Sequence, residues 1–303
     1  MMMKNARVPL HSLRKIPAPR QAARSILQSD LGAVRRGLIW RGPMRENTLK
    51  QKLNDGKAVF GTMITFPSAT LVEMLGCLGY DWILIDNEHG SITVDNSEDM
   101  IRAAELTGMA PIVRPIGNEL EFICPFLDRG AWGVQVPHVN TAEEAQNAVE
   151  AVKYYPLGTR GIFSRGRPAG FGFSGSTADY AEEANRNTLV CLMLEEVEAI
   201  ENLESMVQVE GVDVFFIGSG DLSQSMGYVG QQTHPEVQEV MERGVEIIRK
   251  AGRVAGVSCP ENLVPKFLDL GVQYFHGTVQ TLIQTSSNAY LDTMRKAAGK
   301  AGL

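Results

Sequence analysis

From residue 57 onward, short apolar, β-branched runs alternate with stretches whose apolar positions recur at helical spacing. That alternation predicts strands joined by amphipathic helices around a parallel sheet. The runs fall at 57–64, 81–85, 111–114, 132–136, 190–194, 213–217, 254–257 and 273–276, which makes eight strands. Helix boundaries carry their own signals. Ser68 stands before Leu71, Met74, Leu75 and Leu78, and Gly79 closes the stripe, so an N-cap and a C-terminal glycine occur in the expected order. Thr141 and Glu144 form a capping box ahead of Ala145, Ala148, Val149 and Val152. A further helix follows His234-Pro235, and Leu263, Phe267 and Leu270 repeat the spacing before Gly271.

Eight strands with helices between them predict an α/β chain of the closed (β/α)8 TIM-barrel type, of which about 250 residues is a typical size. A doubly wound open sheet would also alternate, but no GxGxxG turn follows the first strand. The glycine-rich stretch 156–187, with Arg160, Arg165 and Arg167, reads as an inserted loop over one mouth rather than as a helix.

Composition narrows the picture. The chain is 44% hydrophobic and 21% charged, which suits one globular domain with a sizeable core. Charge is uneven: residues 1–43 hold nine Lys/Arg and one acid, Asp30, leaving 20 basic against 34 acidic residues in the remainder. The acidic remainder argues against a nucleic-acid partner. Residues 1–43 are set apart as a basic extension that is either disordered or a targeting segment, with the barrel in 44–303, where Met44-Arg45-Glu46-Asn47 begins a helix. Cys77, Cys124, Cys191 and Cys259 form no CxxC pair and predict buried, reduced thiols. No apolar run reaches 18 residues, so no membrane partner is expected. A cytoplasmic location follows, or a mitochondrial one if 1–43 is a transit segment.

Barrel active sites lie at the C-terminal ends of the strands. There the sequence places Asp86-Asn87-Glu88-His89-Gly90, Arg114-Pro115, Glu195-Glu196 and Gly218-Ser219-Gly220-Asp221. Hard oxygen ligands suit Mg2+ or Mn2+, with Co2+ as another option, and a fixed cation suits a carboxylate substrate. Glu195 and Asp221 are the expected metal ligands, and a neutral His89 would move protons. Read singly, each has a plainer account: Asp221 could cap a helix, His89 could be structural, and Arg114 could be an ion-pair partner. Their convergence on strand ends carries the functional reading. Of the other histidines, only His138 is kept as a possible pocket residue.

The motifs from Asp81 to His89, with Val113-Arg114-Pro115, Leu127-Asp128-Arg129-Gly130-Ala131, Val136-Pro137-His138-Val139, Tyr155-Pro156-Leu157-Gly158-Thr159-Arg160-Gly161 and Phe216-Ile217-Gly218-Ser219-Gly220-Asp221-Leu222-Ser223, resemble the HpcH/HpaI aldolase family. The likeness runs from about Leu49 to Arg295. It implies a phosphoenolpyruvate/pyruvate-type barrel and a metal-dependent class II aldolase that cleaves 4-hydroxy-2-oxo acids, such as 2-keto-3-deoxy sugar acids, to pyruvate and an aldehyde. By position His89 is the implied base, and Arg114 the clamp on the pyruvate carboxylate. Asp128 is implied to raise the histidine's basicity, and Asp86 and Glu88 to surround metal-bound waters. Met193, Ser219 and Gly220 join Arg114 in the implied substrate-binding set. The resemblance further implies a homo-oligomer, a hexamer with an exchanged C-terminal helix. Met193 and Met63 depart from the family's usual glutamine and tryptophan, and Ser219-Gly220 from a common Pro-Ser or Pro-Ala. Alternatives are a decarboxylase or lyase acting on oxaloacetate or an acyl-CoA thioester, and a non-catalytic oxo-acid-binding barrel.

Overall fold

The structure is a computed structural model and describes residues 46–301 other than 174. The basic segment 1–43 and its proposed targeting role lie outside those residues. Eight parallel strands close on themselves in chain order: β1 Val59–Ile64, β2 Trp82–Asp86, β3 Ala110–Arg114, β4 Gly133–Val136, β5 Leu189–Leu194, β6 Val214–Ile217, β7 Val254–Val257 and β8 Tyr274–Thr278. β8 pairs back onto β1 with Val59 opposite Tyr274. Parallel neighbours need long crossovers, and helices supply them. The eight expected strands are all present, each shifted by no more than two residues at an end.

Strand parity divides the buried residues into two layers. Trp82 and Leu84 belong to a core inside the barrel with Val59, Ile112, Cys191, Phe216 and Tyr274. Ile83 and Ile85 belong to an outer core between sheet and helices, with Val113, Val134, Leu192, Ile217 and Val257. Strands buried on both faces explain why the sequence shows continuous apolar runs rather than alternation. The barrel floor is closed by the helix Thr48–Asn54, whose Leu49 and Leu53 join the inner core. It starts four residues later than the sequence pattern suggests, because the Asn47 side chain accepts from the N–H groups of Leu49 and Lys50 and so caps it. Asn47 Nδ2 also donates to the carbonyls of Trp132 (3.0 Å) and Asn187 (2.8 Å), anchoring the cap beneath the sheet.

The capping residues Ser68 and Thr141 act as the sequence indicates, and the helix after His234 runs Pro235–Lys250. The stretch 156–187 does not. It contains a 3-10 segment, Arg167–Gly172, and an α-helix, Thr177–Asn187, with a Ser176/Asp179 capping box. Only Tyr180 and Ala184 of that helix are buried, so its apolar stripe is too thin to stand out beside the glycines before it. Nor does the stretch cover a mouth. Arg160 and Arg167 tie it to Asp128 and Glu105 on the outer helices Leu120–Arg129 and Val94–Thr107. The thiols also depart from expectation: all four are unpaired, but only Cys191 is buried and Cys77 is exposed. Among the described residues no helix is long and apolar enough to cross a membrane.

Candidate active site

The inner parity that buries Trp82 and Leu84 continues to Asp86, and that of Ala110 and Ile112 continues to Arg114. Asp86 and Arg114 are register partners across β2 and β3, so the top inward position of each strand faces the other. The result is a forked ion pair. Arg114 Nε and Nη2 donate to Asp86 Oδ1 and Oδ2, both at 2.8 Å, with Arg114 only 5% and Asp86 0% exposed. Glu88 Oε2 lies 3.1 Å from the same Nε. Burial alone would lower the guanidinium's pKa, but Asp86, Glu88 and Glu195 outweigh it and hold Arg114 above its ordinary value. Asp86 also accepts from the backbone N–H groups of Glu88 and His89, which fixes the turn that carries the histidine. Asp86 is therefore the counter-ion and turn-former of the site.

The same parity on β5 puts Met193 on the inner wall, with Glu195 just beyond the strand end. Glu195 is 1% exposed. Burial pushes its carboxyl above the ordinary value, the His138 N–H and ring oppose that, and Asp221 and Glu88 add to the rise. Asp221 follows β6 in the first turn of the helix Ser219–Ser225, whose N-cap is Gly218 with no side-chain cap bond. The capping alternative for Asp221 is thereby removed. Ser219 is buried, and its N–H and Oγ each lie 3.3 Å from Ser258 Oγ, which steadies the loop carrying Gly220 and Asp221.

These residues open on one cavity of about 810 Å3 at the C-terminal strand ends, lined by Met63, His89, Arg114, Met193, Glu195, Gly220 and Asp221 among others. His89 stands at its rim with the side chain 61% exposed and Nε2 3.8 Å from Glu88. Asp221 adds to the cost of ionising Glu195, and like charges that face one cavity are relieved by a cation between them. Glycine at 218 leaves room for one: a Cβ there would come within 3.1 Å of Glu195 Oε2. Among the described residues no group of three or more His, Cys, Asp or Glu is arranged to hold a metal ion; the carboxylates of Glu195 and Asp221 are among the oxygen donors that line this cavity, and hard oxygen donors of this kind suit a divalent cation.

Two histidines join the site. His138 lies between acids, with Nε2 3.1 Å from Glu88 and Nδ1 3.2 Å from Glu196. His276, which sequence position alone ranks low, follows Tyr274 on the inner row of β8, stacks on Phe216 at 4.7 Å and lines the cavity. Burial drives its pKa down to about 4. A folded-state value below the unfolded one makes the neutral imidazole the native form, and stability is lost as pH falls from the unfolded value of about 6.5 towards 4. Its ring carbon proton should therefore show no titration step between about pH 5.5 and 8 by NMR; a midpoint near 6.5 would contradict that burial.

Asp128 is not among the residues brought together. Within one chain it sits in the last turn of the outer helix Leu120–Arg129, where Arg160 Nη2 donates to it at 2.6 Å. It lines a separate cavity of about 590 Å3 with Arg129 and Arg165. A crossover helix starts near the mouth and ends at the opposite end of the barrel, and Asp128 lies in the last turn of its helix, so the pairing with His89 implied by resemblance is absent within the chain.

A closed parallel barrel whose mouth brings together the buried Glu195, the half-buried Asp221, a fork-held arginine and a rim histidine has the make-up of an enzyme site. The chain belongs to the HpcH/HpaI aldolase/citrate lyase family, whose model matches residues 62–288. It is 36% identical over 234 residues to hydroxypyruvate/pyruvate aldolase of Roseobacter denitrificans, covering 77% of this chain and 90% of that protein. It is 35% identical over 243 residues to 2-keto-3-deoxy-L-rhamnonate aldolase of Salmonella dublin, covering 80% and 90%. The solved structure of the citrate synthase SbnG superposes with a TM-score of 0.75 at 31% identity, covering 83% of this chain and 98% of that one. The protein is accordingly an aldolase, a carbon–carbon lyase on a TIM barrel.

Proposed function

We propose that the protein cleaves 4-hydroxy-2-oxo acids, of the 2-keto-3-deoxy sugar acid kind, to pyruvate and an aldehyde, and runs the reverse addition. The observation that carries this reading is the joint placement of Glu195, Asp221, Arg114 and His89 on one cavity. A divalent cation, Mg2+ or Mn2+, held by Glu195 and Asp221 would supply Lewis-acid stabilisation for charge developing on the 2-oxo group. Arg114 binds the substrate carboxylate. Its Nε and Nη2 are committed to Asp86, and Nη1, 4.0 Å from the Met193 thioether, is left to point at substrate. His89 takes the proton of the 4-hydroxyl in cleavage and returns a proton to the three-carbon fragment, from a rim position where a ligand can reach it. Met63 and Met193, whose sulfurs flank the guanidinium, leave the wall beside it without polar anchors. That favours acceptor aldehydes held by shape over those held by hydrogen bonds.

Purified protein incubated with pyruvate, Mg2+ or Mn2+ and aldehydes varied in length and terminal charge should give carbon–carbon adducts that disappear with EDTA. Oxaloacetate belongs in the same panel. Decarboxylation faster than any aldol cleavage would overturn the proposal in favour of a decarboxylase. We extend the reading to a homo-oligomer, supported by the exposed Ile283, Tyr290, Leu291 and Met294 of the C-terminal helix Val279–Ala301. A monomeric mass by light scattering would count against that extension.

A further inference from the structure

His138 holds a backbone conformation that few side chains accept: φ is +53°, in the left-handed region. Such a residue persists where its surroundings dictate it, and these positions gather at functional sites. The surroundings here are specific. The His138 N–H donates to Glu195 Oε1 at 2.9 Å. Next along the chain, the Val139 N–H donates to the Met193 carbonyl at 3.2 Å, so the turn after β4 is laced to the end of β5. Around the ring, Glu196 is held from its other side, with Asn140 Nδ2 donating to its Oε2 at 2.9 Å. Glu195 Oε1 is thereby occupied, while Oε2 lies on the Gly218 side, where the absence of a side chain leaves space.

We propose that His138 is a positioning residue for the metal site. Its left-handed backbone presents an N–H that captures one oxygen of Glu195 and leaves the other, Oε2, as a single-oxygen ligand for the cation. This rests on the reading of Glu195 as a metal ligand. A carboxylate held through one oxygen turns less freely and offers its other oxygen first, so the backbone of residue 138 would set how Glu195 meets a metal. Neither a helix terminus nor a side-chain ligand of residue 138 is involved; the device is one main-chain donor held in place by an unusual φ.

The backbone and the ring can be separated. Glycine at 138 keeps the N–H and adopts positive φ freely, whereas valine, branched at Cβ, resists it and turns the N–H away. The readout is Mn2+ affinity, taken from the free-ion signal in electron paramagnetic resonance, with circular dichroism to check folding. His138→Gly should bind Mn2+ within about 3-fold of the wild type, and His138→Val at least about 10-fold more weakly, the loss of a group that orients a metal ligand being worth about 10- to 100-fold. If His138→Val does not fold, His138→Ala, which meets the same backbone penalty with less bulk, takes its place. Wild-type affinity in the valine or alanine variant would overturn the proposal, as would equal loss in the glycine variant, which would assign the role to the ring. Glu195→Gln separates this from the underlying reading. If it binds Mn2+ like the wild type, or the wild type binds none, the metal assignment fails; if it alone loses binding, the assignment stands and the His138 proposal falls.

Discussion

Replacing His89 by Asn should lower cleavage of a 4-hydroxy-2-oxo acid by about 100- to 10,000-fold, the usual worth of a general base, while leaving Mn2+ affinity and thermal stability near the wild type. The side chain is 61% exposed and, among the described residues, its ion-pair neighbour is Glu88 at 3.8 Å, so little of the fold depends on it. The check is kcat with saturating metal alongside a melting curve. A parallel loss of metal binding or of stability would show that His89 acts by holding the site together rather than by moving a proton.

Arg114→Met should do both kinds of damage. It removes the substrate clamp, and it strands the fully buried Asp86 carboxylate without its forked partner. Breaking one side of a buried pair costs roughly 3–5 kcal/mol, which urea denaturation would read directly. Adding Asp86→Asn to Arg114→Met removes the stranded charge and should recover part of that stability with no recovery of activity. Arg114→Lys restores the charge without the fork and should fall between. If Arg114→Met were as stable as the wild type, the ion pair would not be the structural element that its burial indicates.

Much of the site was legible because strand parity is visible in sequence. Once Trp82 and Leu84 are placed inward, Asp86 must follow, and the same rule delivers Arg114 and Met193 to the mouth. Asp128 escaped that logic: it is a helix residue, and its position came from resemblance alone, which does not report which layer a side chain occupies in a single chain. The helix Thr177–Asn187 was hidden by its polarity, since a helix that buries two residues leaves almost no periodic signal. His138 was half visible. Its place after a strand could be read, but the positive φ that turns its N–H onto Glu195 depends on contacts with β5, 57 residues away in sequence. His276 looked like an ordinary strand end because nothing local shows that its neighbours across the barrel are Phe216 and Trp82.

Glu195, Asp221 and His89 are proposed to carry out metal-dependent enolisation of a 2-oxo acid. Exchange of the pyruvate methyl protons with solvent deuterium, followed by NMR, tests it without knowledge of the aldehyde partner. Exchange should appear with Mg2+ or Mn2+, vanish with EDTA, and be lost in Glu195→Gln and His89→Asn; no exchange with any divalent metal, or undiminished exchange in Glu195→Gln, would contradict it.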